Sequence, residues 1–107
     1  MMGQEDVLDF IEKSDWIVSA RQISEAIGKE VYSVSHSLSK LMKYKEVNFL
    51  EVDRNQADLL IDDYKVHKRM RFFFSIKVSK TQMARDLKAF LRSKLAQAKT
   101  SKEELEE

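Results

Sequence analysis

The sequence predicts a small α+β domain, and three observations support this fold class. Apolar residues recur at helical spacing in several stretches, most clearly over residues 31–42. Two short stretches, VNFLEV and RMRFFFSIKV, are rich in the β-branched and aromatic residues that strands favour. Serines that can cap helices precede the second and the last helical stretch. The expected order is three helices, a strand, a connection, a second strand and a long final helix.

Length and composition limit the class of protein. A chain of 107 residues makes one domain with one modest core. Hydrophobic residues are 43% and charged residues 35% of the chain, which favours a folded protein in water. No apolar run approaches the roughly 18 residues of a membrane span, and the acidic start is unlike a secretory signal. Since the chain also lacks cysteine, and with it disulfides and thiolate metal sites, we expect a cytoplasmic protein.

Charge is uneven along the chain, although the formal net charge is only +1. Residues 65–80 hold lysines, arginines and one histidine but no acid. The preceding residues 51–63 hold acids relieved only by Arg54. The near-neutral total therefore hides an acidic segment next to a basic one.

Capping residues predict the bounds of the first two helices. The acidic Glu5 and Asp6 suit the start of a helix from about residue 4 to residue 13. In SARQ, Ser19 and Gln22 form a capping box for a second helix, and Gly28 is placed to end it in the left-handed conformation. The apolar positions of the two helices are Val7, Leu8, Phe10, Ile11, Ala20, Ile23, Ala26 and Ile27.

The stretch YSVSHSLSKLMKYKEV requires a choice between strand and helix. Serine occupies every second position from Ser33 to Ser39, which is typical of a half-buried strand. The apolar residues nevertheless lie at helical spacing: Val31, Val34, Leu38, Leu41 and Met42. Because a helix places all of these on one buried side, we predict a helix over residues 30–44 with small polar side chains on its open surface.

Two strands and a connection are expected next. VNFLEV, residues 47–52, predicts the first strand. DRNQADLLIDDY predicts a short helix capped by Asp53 or Asn55, and a long β-hairpin is the alternative. In RMRFFFSIKV, Met70, Phe72 and Phe74 face one way and Phe73 the other. We expect these phenylalanines to be core residues, with a base-stacking platform as the alternative.

The last predicted helix carries a seam that the rest of the domain is too small to cover. Ser79 and Gln82 in SKTQ form a second capping box before it, and its charged end is expected to fray. The spacing of the seam is close to that of a coiled coil, and its residues are Ala84, Leu87, Leu91, Leu95 and Ala98. We therefore predict a homodimer through residues 79–107; the alternative is packing onto the first helix of the same chain.

The stretch SARQISEAIGKEVYSVSHSLSKLMKYKEVNFLEV resembles the winged helix-turn-helix family. Small and aliphatic residues in the second helix precede a polar third helix with a Val34–Ser35 step, then Leu38 and Leu41, a turn, and a strand that starts at Val47. The resemblance implies three helices and a two-stranded wing over residues 1–78. The chain departs from the pattern at Glu46, where the family usually has glycine, and in its acidic rather than basic wing connection.

The resemblance implies double-stranded DNA as the partner and transcriptional regulation as the role, with the third helix in the major groove. Serine and histidine side chains suit base edges, and lysines suit phosphates. The residues expected to contact DNA are Arg21, Gln22, Lys29, Tyr32, Ser33, His36, Ser37, Lys40, Lys43, Lys68 and Arg69. Three alternatives stay open: the helix surface is merely solvated, Gln22 only caps its helix, or the strand cations only balance the acidic segment.

No pattern in the chain predicts catalysis, a cofactor or a metal site. His36 and His67 have neither metal-ligand spacing nor a nucleophile pattern beside them. With only Gly3 and Gly28, the chain has no glycine-rich phosphate loop. We therefore expect a protein that is not an enzyme. The alternative to DNA binding is a winged-helix module that binds another protein through the acidic segment and the last helix.

Overall fold

A computed structural model describes residues 4–62 and 64–106, with side chains described as far as residue 97. The elements in chain order are α1 (Gln4–Lys13), α2 (Ala20–Ile27), α3 (Val31–Lys43), β1 (Val47–Val52), α4 (Arg54–Leu60), β2 (Met70–Ser75) and α5 (Lys80–Glu106). The predicted α+β class is confirmed, as is the helix in place of a strand for α3. A short helix rather than a long hairpin follows β1, and the charged end, expected to fray, is helical to Glu106.

Capping hydrogen bonds define the helix ends. At α2, the Gln22 N–H donates to Ser19 Oγ at 3.1 Å and the Ser19 N–H donates to Gln22 Oε1 at 2.8 Å, which completes the predicted capping box. Gly28 ends α2 with φ of 70°, as predicted. Asp53, rather than Asn55, caps α4 through a bond of 2.8 Å from the Gln56 N–H.

The capping box predicted before α5 is only half formed. The backbone N–H of Gln82 donates to Ser79 Oγ at 3.1 Å, as expected. The side-chain amide of Gln82 does not return to Ser79 but donates to Asp86 Oδ1 at 3.0 Å, one turn further along the helix. The serine thus caps the helix without the reciprocal bond, and an exposed side-chain pair within the helix replaces it.

A Schellman turn closes α3 without a glycine. The Glu46 N–H donates to the Leu41 carbonyl at 2.9 Å, and the Lys45 N–H donates to the Met42 carbonyl at 3.1 Å. Lys45 takes the left-handed conformation that this turn requires, with φ of 58°. The turn between α3 and β1 therefore forms with lysine at the left-handed position, although Glu46 replaces the usual glycine.

The sheet is antiparallel, and β2 is also bridged on its other edge. In the register of β1 and β2, Phe49 lies opposite Phe73 and Glu51 opposite Arg71. Beyond β2, the Val18 N–H donates to the Phe73 carbonyl at 2.9 Å and the Phe73 N–H donates to the Val18 carbonyl at 2.7 Å. The sequence pattern predicts no strand before Ser19, so this bridge is a feature that it does not reveal.

Two buried clusters lie on the two faces of the sheet. Phe73 packs with residues of α1, α2, α3 and β1 on one face. Phe72 and Phe74 pack with residues of β1, α4 and α5 on the other. The prediction that Phe73 faces away from its neighbours is confirmed, and since all three rings are buried they are core residues rather than a stacking platform.

Some apolar residues that the sequence predicts to be buried are exposed, and two residues of the predicted dimer seam are buried. Val31, expected on the buried side of α3, is 43% exposed at the first turn of the helix, and Ala26 of α2 is exposed as well. Leu87 and Leu91 are buried in the chain's own core, against residues of β1, α4 and β2 rather than of α1. The expectation that they form an uncovered seam is therefore wrong, because the sheet and α4 supply the cover that the sequence did not show.

The other residues of the predicted seam differ in how far they are buried. Ala84 is partly buried, whereas Leu95 is 50% exposed. The side chain of Ala98 lies outside the described part.

With 27 residues, α5 is about 40 Å long, in a molecule whose longest dimension is 56 Å. Among the described residues, no helix combines the length and the apolar character that crossing a membrane requires.

Candidate nucleic-acid interface

The outward side of α3 carries polar and cationic side chains. Val34, Leu38 and Leu41 are buried, so the residues on the opposite side of the helix face solvent. Tyr32 is 80% exposed, and Ser37 is partly buried towards α1. The predicted contact residues of this helix that are exposed are Tyr32, Ser33, His36, Lys40 and Lys43.

The two lysines of α3 keep their charge available. Lys40 and Lys43 lie in the last turn, where cations interact favourably with the helix dipole. Among the described residues neither pairs with a carboxylate, and the Lys43 ammonium lies 6.0 Å from the centre of the Tyr44 ring. An incoming anion would therefore not have to displace an internal partner.

The first turn of α2 presents a second cation. The Arg21 guanidinium lies 4.3 Å from the centre of the Tyr64 ring, and Arg21 Nε lies 3.6 Å from Glu25 Oε1. Gln22 is exposed, and its carbonyl oxygen accepts the Ser19 N–H, so its capping role is confirmed. Its amide N–H₂ group has no recorded partner among the described residues and still has two donors to offer.

Lys29 is more enclosed than the other cations that the sequence selects. Its side chain is only 19% exposed, and its Nζ lies 3.8 Å from Asp6 Oδ2 on α1. That carboxylate oxygen is buried and has no hydrogen-bond partner among the described residues, so the nearby ammonium is its main electrostatic compensation. Lys29 thus has an ionic partner on α1, and it also lines a depression with Tyr32 and His36 of α3. Its contact with DNA stays a prediction.

The start of β2 adds further basic groups. Lys68 and Arg69 are exposed, as expected. Arg69 Nη1 lies 3.3 Å from Glu51 Oε1, so part of its charge balances the acidic segment, as the alternative proposed. Lys68 and Arg71 have no carboxylate partner among the described residues; the Arg71 guanidinium instead lies 5.3 Å from the centre of the Phe49 ring.

A groove of about 420 Å³ lies between α2, α3 and β2, and we call it the α3–β2 groove. Among the described residues that line it, none is an α3 residue predicted to contact DNA. Its basic rim comes from α2, the connection and β2, and consists of Arg21, Lys68, Arg69 and Arg71. Its α3 side includes Ser35 and Ser39, which the sequence analysis did not select as contact residues. Tyr64 also lines the groove, beside Arg21. Nothing local predicts these three, because their membership depends on how β2 packs beside α3.

The acidic segment turns to the other side of the sheet. Ile61 and Val66 are buried in the cluster with α5, and the Val66 N–H donates to Asp58 Oδ1 at 3.1 Å. Asp62 Oδ1 lies 3.9 Å from Lys94 Nζ on α5. Since α3 packs on the opposite face, Asp58 and Asp62 lie away from the basic rim. Glu51, from the same acidic segment, instead lies at the rim beside Arg69.

Neither a metal centre nor a known relative indicates the function of this site. Within residues 4–62 and 64–106, no group of three or more metal-binding side chains is placed to hold an ion. Compared with protein-family models, and separately with curated proteins, the chain has no match. The assignment of function therefore depends on the surface geometry alone.

Proposed function

We propose that this chain is a winged helix-turn-helix protein that binds double-stranded DNA in the cytoplasm and regulates transcription, with α3 in the major groove. One observation supports this most: the exposed serines Ser35 and Ser39 of α3 and the basic residues at the start of β2 border the same groove. The bridge from Val18 to Phe73 adds a third short strand-like segment beside the wing strands, between α1 and α2. A helix fits the major groove, which is about 12 Å wide.

Each group has a physical role in this proposal. Ser33 and His36 reach base edges, because short hydroxyl and imidazole groups can pair with the donors and acceptors exposed there. Lys40 and Lys43 contact phosphates on one side of α3. Arg21, in the first turn of α2, and Lys68, before β2, contact phosphates on the other side, where the free N–H groups of α2 also favour an anion.

The homodimer stays part of the proposal in a revised form. Leu87 and Leu91 stabilise the chain's own core, so they no longer define the interface. Leu95 is exposed near the end of the described side chains, and Phe90 is partly exposed beside Trp16. Pairing of two chains through this distal part of α5 would present two α3 helices to adjacent half-sites.

A second candidate function is a protein-binding module without DNA binding. It is favoured by the exposed Leu95 and the acidic Asp58 and Asp62, which lie on the α5 side of the sheet. The two candidates predict different binding surfaces. The first uses α3 and the groove; the second uses α4 and α5.

The test is a titration of a short labelled duplex of random sequence at several salt concentrations between about 50 and about 200 mM. We expect the logarithm of the affinity to fall linearly with the logarithm of salt. Replacing both α3 lysines, Lys40→Ala with Lys43→Ala, should flatten that slope by about two units. The matched control is Lys88→Ala with Arg92→Ala, which removes the same charge from the exposed surface of α5. Affinity that ignores salt, or an equal effect in the control, would contradict the proposal.

A further inference from the structure

The lining of the α3–β2 groove is more apolar than contact with a DNA backbone requires. Its floor is formed by side chains of α3 and β2, namely Val31, Leu38, Met42, Met70 and Phe73. Charged phosphates, which dominate contact with a DNA backbone, gain nothing from such a floor. Two methionines give the floor an adaptable shape, because the thioether side chain is unbranched and flexible.

The rim supplies cations above this floor. Arg69 is paired with Glu51, and Arg21 is stacked on Tyr64. Arg71 and Lys68 pair with no carboxylate among the described residues. A guanidinium binds a carboxylate through two parallel hydrogen bonds, so Arg71 is the best placed partner for an acidic group that enters the groove.

We infer that the α3–β2 groove binds a small aromatic carboxylate. The ring would lie on the methionines and Phe73, and the carboxylate would meet Arg71 and Lys68. The volume of about 420 Å³ lies within the range of about 300–1,000 Å³ for small-molecule sites. The combination of a mainly apolar lining with a few charged groups is what such sites show.

The binding itself is independent of DNA, whereas its regulatory consequence rests on the proposed function. The ligand and a duplex would both use Lys68, at the rim of the same groove. Binding of either partner then weakens binding of the other by the same factor, because the coupling of two binding equilibria is reciprocal. The ligand is therefore expected to release DNA.

The test is a titration of the full chain with 2-naphthoate, followed by two-dimensional amide NMR and by calorimetry. We expect saturable binding of one molecule per chain, with shifts at Val31, Ser35, Met42 and Phe73. Arg71→Gln should weaken binding about tenfold, since it replaces a charge-assisted pair, while the control Arg92→Gln should not change it. Ser35→Phe, at an exposed position, should block the groove without affecting the core.

The comparison ligands decide between the possible occupants. Equal affinity for 2-naphthamide would show an apolar site without acid recognition, and equal affinity for inorganic phosphate would show a phosphate site only. A groove that takes up an acidic peptide or a duplex but not 2-naphthoate would also overturn the inference. If 2-naphthoate binds but no duplex binds at any salt concentration, the proposed function fails and the ligand site stands.

Discussion

The guanidinium of Arg21 lies over the ring of Tyr64, with 4.3 Å between the Arg21 Cζ atom and the ring centre. This contact joins the first turn of α2 to the segment that leads into β2, more than forty residues later in the chain. Arg21 has one carboxylate neighbour, Glu25, and that pair is exposed and therefore weak. The stack with Tyr64 is thus an important restraint on where the Arg21 charge lies at the rim of the α3–β2 groove.

Removing the aromatic ring of Tyr64 should weaken duplex binding. A cation–π contact at an exposed position contributes about 0.5–1 kcal/mol, so Tyr64→Ala should lower the affinity about two- to fivefold. Tyr64→Phe keeps the aromatic face and should retain the affinity of the wild type. Anisotropy titrations measure both, and circular dichroism confirms that the fold is kept. Indistinguishable affinities for the alanine and phenylalanine variants would show that the stack does not position Arg21 for binding.

Glycine at position 45 should stabilise the domain. Lys45 takes a left-handed conformation with φ of 58°, which disfavours a residue with a Cβ atom. Lys45→Gly removes that cost but makes the unfolded chain more flexible, so we expect a net gain of about 0.5–1 kcal/mol in the free energy of unfolding. Urea denaturation measures it. Glu46→Gly, one residue further on, should give no such gain; a loss of stability in Lys45→Gly would argue against the Schellman turn.

Alanine at position 28 should have the opposite effect. A Cβ atom added at Gly28 would meet no atom within 4 Å, so no steric clash complicates the comparison. The left-handed φ of 70° alone should lower the free energy of unfolding by about 1–2 kcal/mol in Gly28→Ala. Thermal unfolding detects this loss. An unchanged stability would mean that α2 ends in some other way.

Alanine substitutions at Leu91 and Leu95 should distinguish a loss of core packing from a loss of association between chains. Leu91 is buried, so Leu91→Ala should lower the free energy of unfolding by about 2–5 kcal/mol. Leu95 is half exposed, so Leu95→Ala should cost the isolated chain well under about 1 kcal/mol. If α5 pairs two chains, sedimentation should show a dimer that Leu95→Ala weakens. A wild-type chain that sediments as a monomer at all concentrations would remove the dimer from the proposal.

Local hydrogen bonding explains which parts of the fold could be predicted. The cap at Ser19 and the left-handed Gly28 depend on neighbours within a few residues, so the sequence pattern contains them. The strand of residues 47–52 pairs with distant β2, but its β-branched and aromatic residues reveal it. The Val18 bridge and the left-handed Lys45 were missed for different reasons. The bridge needs β2, more than fifty residues away, and lysine is not the residue that normally marks a left-handed turn.

Tertiary packing decides the rest of the candidate site. The helical spacing in α3 correctly predicts an open side with Tyr32 and His36. The same spacing wrongly buries Val31, which lines the open α3–β2 groove. Lys29 looks like a surface cation in the sequence, yet Asp6 of α1 holds it. Neither outcome can be derived from spacing, since both depend on a neighbouring element.

The most direct test of the central claim is a two-dimensional amide NMR titration of the chain with a duplex at low salt. We predict that the amides of Tyr32, His36 and Lys40 on α3 shift, together with those of Arg21 and Lys68 at the rim of the groove. Amides of α4 and α5 should stay in place. Shifts confined to α4 and α5, or no shifts at any duplex concentration, would contradict the assignment of α3 as the DNA-contacting helix.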